Sequence, residues 1–92
     1  GRSPIHHAVL YGDSQTTRLL LDMGIDVNTP ATDGRTPILL ASIEGHADIV
    51  DILIEHGCHI NHVYFSAITP LSVASDRKHY KVIQRLLDAG AD

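Results

Sequence analysis

The chain has 92 residues, 43% of them hydrophobic, with a formal net charge of −4 when histidine is neutral, the size and balance of one small globular domain. Leu, Ile, Val and Phe supply 27 of the 92 residues, too many for a disordered tail, and the longest apolar runs, such as Ile38-Leu39-Leu40-Ala41, fall far short of the roughly twenty residues that cross a bilayer. Cys58 is the only cysteine, so an internal disulfide is excluded and an intracellular chain, cytoplasmic or nuclear, is expected.

Ser3-Pro4 opens the first element. A serine hydroxyl can accept from the free N–H groups of a first helical turn, and proline suits the position after it, where no N–H is needed. Ile5, Ala8 and Val9 then recur at helical spacing, and Gly12 stops the helix. A second helix follows, with Thr16-Thr17 making it more polar than its later counterparts, and Gly24 ends it. Asn28 to Gly34 is turn chemistry throughout.

The same order then repeats. Thr36-Pro37 starts a helix carrying Ile38, Ala41 and Ser42, and Gly45 stops it. Ile49, Val50, Ile52, Leu53 and Ile54 form an apolar band wider than one stripe, as expected of a helix with neighbours on both sides. Thr69-Pro70 begins a third pair, in which Lys78 stands where the others have glycine. A non-glycine residue in the left-handed conformation costs on the order of 1 kcal/mol. Ala8, Ala41 and Ala74 keep a fixed step of 33 residues, as do Leu20, Leu53 and Leu86, and Gly24, Gly57 and Gly90. The units are 1–33, 34–66 and an incomplete 67–92.

Three segments carry a resemblance. Gly34-Arg35-Thr36-Pro37-Ile38, Gly45-His46-Ala47-Asp48-Ile49-Val50 and Gly24-Ile25-Asp26-Val27-Asn28 closely resemble the ankyrin repeat, and 33 residues is that family's period. The resemblance implies an all-α fold, a solenoid of stacked antiparallel helix pairs with projecting β-hairpin-like loops, forming a single domain over 1–92. Opening inside its first motif and ending at Asp92, before a Val-Asn step, the sequence is expected to be a fragment of a longer chain. The family's Thr-Pro-Leu-His signature is complete only as Ser3-Pro4-Ile5-His6, with Leu39 and Ser72 replacing the histidine later, which predicts weaker local hydrogen bonding there. His6 is expected to bond the neighbouring loop, and His46 and His79 to be turn residues that start second helices.

Chemistry is sparse. No glycine-rich phosphate loop, His-Glu-x-x-His or Cys-x-x-Cys pattern occurs, so neither enzymatic activity nor a cofactor is implied. His56, Cys58, His59 and His62 form the densest group of metal-ligand types, but their spacing on a helix end and an irregular loop does not direct them to one tetrahedral site. Arg77, Lys78, Lys81 and Arg85 make a basic patch too short to argue for nucleic acid. The acidic body instead favours a basic protein or peptide partner.

The resemblance implies partner contacts through the loop tips and the exposed side of each first helix. Carried over by position, these are Leu10, Tyr11, Ile43, Glu44, Asp76 and Arg77 on the helices and Thr32, Asp33 and Arg35 in the first loop. The second loop, Val63-Tyr64-Phe65-Ser66-Ala67-Ile68, lacks the expected acidic residue and glycine, which offers Tyr64, Phe65 and Ile68 as apolar anchors. Met23 and Tyr80 are expected to be packing residues. Leu20 followed by Asp26-Val27-Asn28 also resembles the sites of asparaginyl hydroxylases, marking Asn28 as a candidate for hydroxylation. The reading is a monomeric, non-catalytic protein-binding module. The alternative is a structural spacer within a longer array.

Overall fold

The computed structural model describes residues 3–92; Gly1 and Arg2, which precede the first Ser-Pro motif, lie outside the described residues. Six helices follow in order: α1 Pro4–Leu10, α2 Ser14–Asp22, α3 Pro37–Glu44, α4 Ala47–Glu55, α5 Pro70–Asp76 and α6 Tyr80–Asp88. No strand forms among the described residues, and the loops contribute only an isolated antiparallel bridge between Tyr64 and Ile68. Helices α1, α3 and α5 pack side by side as one layer, with α2, α4 and α6 as a second.

The core is where the layers meet. Ile5, Val9, Ile38, Ala41, Ile49, Val50, Leu53, Ala74, Val82 and Leu86 are buried in one continuous cluster. Burying a side chain of the Leu or Ile class contributes roughly 1.5–3 kcal/mol. The broad apolar band on α4 is explained by position, because α4 touches both α2 and α6.

Helix starts depart from expectation at two of three positions. Ser3 and Thr36 have the extended N-cap backbone, with proline after them, but neither side chain caps its helix. The Ser3 hydroxyl instead donates to His6 Nδ1 at 2.7 Å, and the Thr36 hydroxyl pairs with that of Tyr64. Thr69 does cap, accepting from the Ser72 N–H at 3.1 Å while the Ser72 hydroxyl accepts from the Thr69 N–H at 2.9 Å. Ser72 thus strengthens the local hydrogen bonding that its loss of histidine was expected to weaken.

The first unit's outer helix also differs from its reading. Thr17 is fully buried, its hydroxyl donating to the Asp13 carbonyl at 2.8 Å, whereas Thr16 faces solvent and bonds the Asp13 carboxylate. A threonine that satisfies its hydroxyl within its own turn fills core space much as Val50 does. Those bonds to Thr16 hold the Asp13 carboxyl below its ordinary range.

Candidate functional site

The loops that project from the helices are fixed by a set of cross-unit bonds. His6, 1% exposed, accepts from Ser3 and donates Nε2–H to the Thr29 carbonyl at 2.8 Å, as expected of its bond to the neighbouring loop. The Asn28 side-chain oxygen accepts from the His59 N–H at 2.9 Å, and Asn61 accepts from the Asp92 N–H at 3.1 Å. One loop is thereby pinned to the next. His46 and His79 do more than start helices. Each donates a ring N–H backward to a carbonyl of the preceding unit, His46 to Leu10 at 3.2 Å and His79 to Ile43 at 2.8 Å. No local pattern in the sequence signals this role, since His46 follows Gly45 but His79 follows Lys78.

The two loop tips are built differently. In the first, Ala31 N–H donates to the Arg35 carbonyl at 2.8 Å and Gly34 N–H to the Ala31 carbonyl at 2.9 Å, with Gly34 in the left-handed region. Arg35 folds onto Asp33 in an exposed ion pair at 3.5 Å, and Thr32 is exposed beside them. In the second, alanine replaces that glycine, and the left-handed conformation moves to Phe65 and Ser66, at φ 51° and 74°. Tyr64 accepts from Ala67 and Ile68 N–H groups and donates to the Ile68 carbonyl, closing a turn with positive φ at both central residues, as a type I′ turn requires. Such a conformation costs roughly 1–2 kcal/mol for each non-glycine residue.

That turn separates the two aromatic residues. Phe65 is 60% exposed, and Val63 and Ile68 beside it are also exposed. Tyr64, expected to be an exposed anchor, is only 4% exposed. Its ring lies edge-on to His62 with centroids 4.6 Å apart and its hydroxyl reaches Thr36, so it completes the packing between loops. Burial is the main reason its phenol sits above the ordinary range, opposed by the Thr36 bond. A cavity of about 230 Å³ lies here, lined by residues including Asn28, Thr36, His59, His62 and Tyr64.

On the helices, Tyr11 is 76% exposed at the end of α1, with His7 as its ring neighbour at 6.0 Å. Leu10 and Ile43 are half-buried, and Glu44, Asp76 and Arg77 are exposed at the ends of α3 and α5. Met23 and Tyr80, expected to pack, are each 70% exposed because they sit at the outer helices' ends, past the face that meets the core. The basic patch is reduced by one member, since Arg85 Nε donates to both Asp51 carboxylate oxygens at 3.0 and 2.9 Å.

Among the described residues no three His, Cys, Asp or Glu side chains gather where they could hold a metal. His56 faces the Ile52 carbonyl and Asp22, and Cys58 is buried, its thiol pushed up to about 11 chiefly by burial. Ser3 and His6 form a hydroxyl–imidazole pair, but the second ring nitrogen goes to a backbone carbonyl rather than an acid, and the pair anchors a loop. Among the described residues no helix is long and apolar enough to cross a membrane.

Comparison with known proteins agrees with this geometry. The ankyrin repeat domain of human ASB11 superposes with a TM-score of 0.91 at 30% identity, over 99% of this chain and 41% of that one. The chain therefore spans about two fifths of the length of that domain. No curated protein matches. The family model described as ankyrin repeats, in three copies, matches residues 5–92, and with the stacked helix pairs and pinned loops above it, the chain belongs to the ankyrin repeat family.

Proposed function

We propose that this chain is a non-catalytic module that binds a protein or peptide, with Phe65 as its principal apolar anchor. Ankyrin repeats are in general protein-interaction modules and typically non-catalytic. The observation that carries the reading is the tip itself: a bulky aromatic residue, 60% exposed, is held in a left-handed turn. Bulky residues rarely adopt positive φ, and such strain collects at functional segments. Aromatic side chains on stiff supports lose little entropy on binding and dominate interface energetics. Val63 and Ile68 extend the apolar surface, while Asp33, Arg35, Glu44, Asp76 and Arg77 give a polar rim with Thr32. Leu10, Tyr11 and Ile43 continue it along the helices. Tyr64 supports the tip from beneath.

The test is capture from cell lysate by the chain and by Phe65→Ala, each confirmed as folded by circular dichroism, followed by calorimetry on the partner identified. A loss of tenfold or more in affinity supports the anchor, and equal affinity moves the site to the helices. We place the module inside the cell as a monomer, with Asn28 a candidate for hydroxylation once its bond to His59 opens.

A second reading, a spacer within a longer array, is favoured by one comparison between units. Pro37, Leu53 and Cys58 are buried by the preceding unit, while their counterparts Pro4 and Ile25 are exposed and Leu20 is half-buried. An apolar cavity of about 280 Å³ opens among them, a surface that a preceding repeat would cover.

A further inference from the structure

The two joints of the stack use one device. At the first, His46 donates to the Leu10 carbonyl with its ring lying against Gly12; at the second, His79 donates to the Ile43 carbonyl against Gly45. The glycines leave room that no other residue would. A Cβ at Gly12 would lie 2.9 Å from the His46 ring, and one at Gly45 would lie 2.6 Å from the His79 ring. Each joint therefore needs glycine on one unit and an imidazole on the next.

Both outer faces lack their half of this latch. In the third unit the glycine position is Lys78, whose φ of 59° resembles the 75° and 80° of Gly12 and Gly45, so its Cβ points where a ring would have to lie. In the first unit the histidine position is Asp13, whose carboxylate cannot donate to a carbonyl and is already engaged by Thr16. Ile83 and Leu87 meanwhile leave apolar surface toward the C-terminal side, where the equivalent Val50 and Leu21 are buried.

We propose that Lys78 makes the C-terminal face selective for its stacking neighbour. A further ankyrin repeat is accepted there when it carries Asp at the position of His46 and His79, as Asp13 does in this chain, and is disfavoured when it carries His. A carboxylate fits beside the lysine without requiring the space of a ring, and faces its ammonium group. The lysine thus rejects the joint found twice within the stack, in the manner of specificity set by a clash with the wrong partner.

The test extends the chain after Asp92 with a second copy of residues 27–66, in register because Ala91-Asp92 aligns with Ile25-Asp26. The appended copy then presents His46 to Lys78. Urea unfolding is compared with and without Lys78→Gly, in the 92-residue chain and in the extended one, and with His46→Asp in the appended copy. Lys78→Gly is expected to raise the folding equilibrium constant of the extended chain by about five- to tenfold more than that of the 92-residue chain. The additional gain disappears with His46→Asp. If the appended repeat fails to fold on Lys78, its copied Cys58 thiol labels rapidly, and Lys78→Gly slows that labelling. The same gain in both chains, or labelling indifferent to Lys78→Gly, overturns the proposal and leaves Lys78 as backbone strain alone.

Discussion

His79 donates its ring N–H to the Ile43 carbonyl at 2.8 Å, across a space that exists only because residue 45 is glycine. The carbonyl partner requires the proton to be on Nε2, so the bond fixes the tautomer as well as the ring's direction. Gly45 is therefore needed twice, for its φ of 80° and for the ring it admits.

Gly57 separates these two demands. Its φ is 79°, yet nothing lies within 4 Å of a Cβ built there. Gly57→Ala is expected to cost about 1 kcal/mol, the left-handed term alone. Gly45→Ala should cost about 3 kcal/mol, because the ring is displaced and its bond broken. Urea denaturation of the two variants measures the difference, and equal losses would show that the His79 ring relocates freely.

The Phe65-Ser66 turn invites the opposite experiment. Replacing Phe65→Asn together with Ser66→Gly supplies the pair that type I′ turns favour. Stability should rise by about 1–2 kcal/mol as the left-handed strain is relieved, while affinity for a partner anchored by Phe65 falls. Thermal unfolding and calorimetry together distinguish a strained functional tip from a merely tolerated one.

Tyr64→Phe keeps the ring against His62 and removes the hydroxyl that meets Thr36. A loss of about 1 kcal/mol is expected, the net worth of one partly buried hydrogen bond. Partner affinity should stay within a factor of about two, since the exposed tip is unchanged. A large loss of affinity at unchanged stability would return Tyr64 to the binding surface.

Cys58 contributes to the loss of stability at alkaline pH. Its ordinary pKa of 9.0 applies to the unfolded chain and about 11 to the folded one, chiefly through burial. Below pH 9 both states hold the proton and nothing is lost. Between pH 9 and 11 the unfolded chain ionises first, so stability should fall by about 2–3 kcal/mol. Denaturation midpoints across that range should decline less steeply for Cys58→Ala. A parallel decline in both proteins would mean that the folded thiol ionises normally.

The sequence by itself determined the architecture of this protein. A 33-residue period in Ala8, Leu20 and Gly24 and their counterparts, with helix-starting proline and helix-ending glycine, dictates three helix pairs because these signals act within a few residues of backbone. The resemblance to the ankyrin family added His6 as a loop anchor and the second loop as unusual. Tertiary structure alone decided which side chains face outward. Tyr64 and Phe65 are adjacent, yet two positive φ values send one against Thr36 and the other into solvent. The roles of His46 and His79 were hidden for the same reason: their acceptors, Leu10 and Ile43, belong to the preceding unit, and hydrogen bonds across that separation exist only once the helix pairs have stacked.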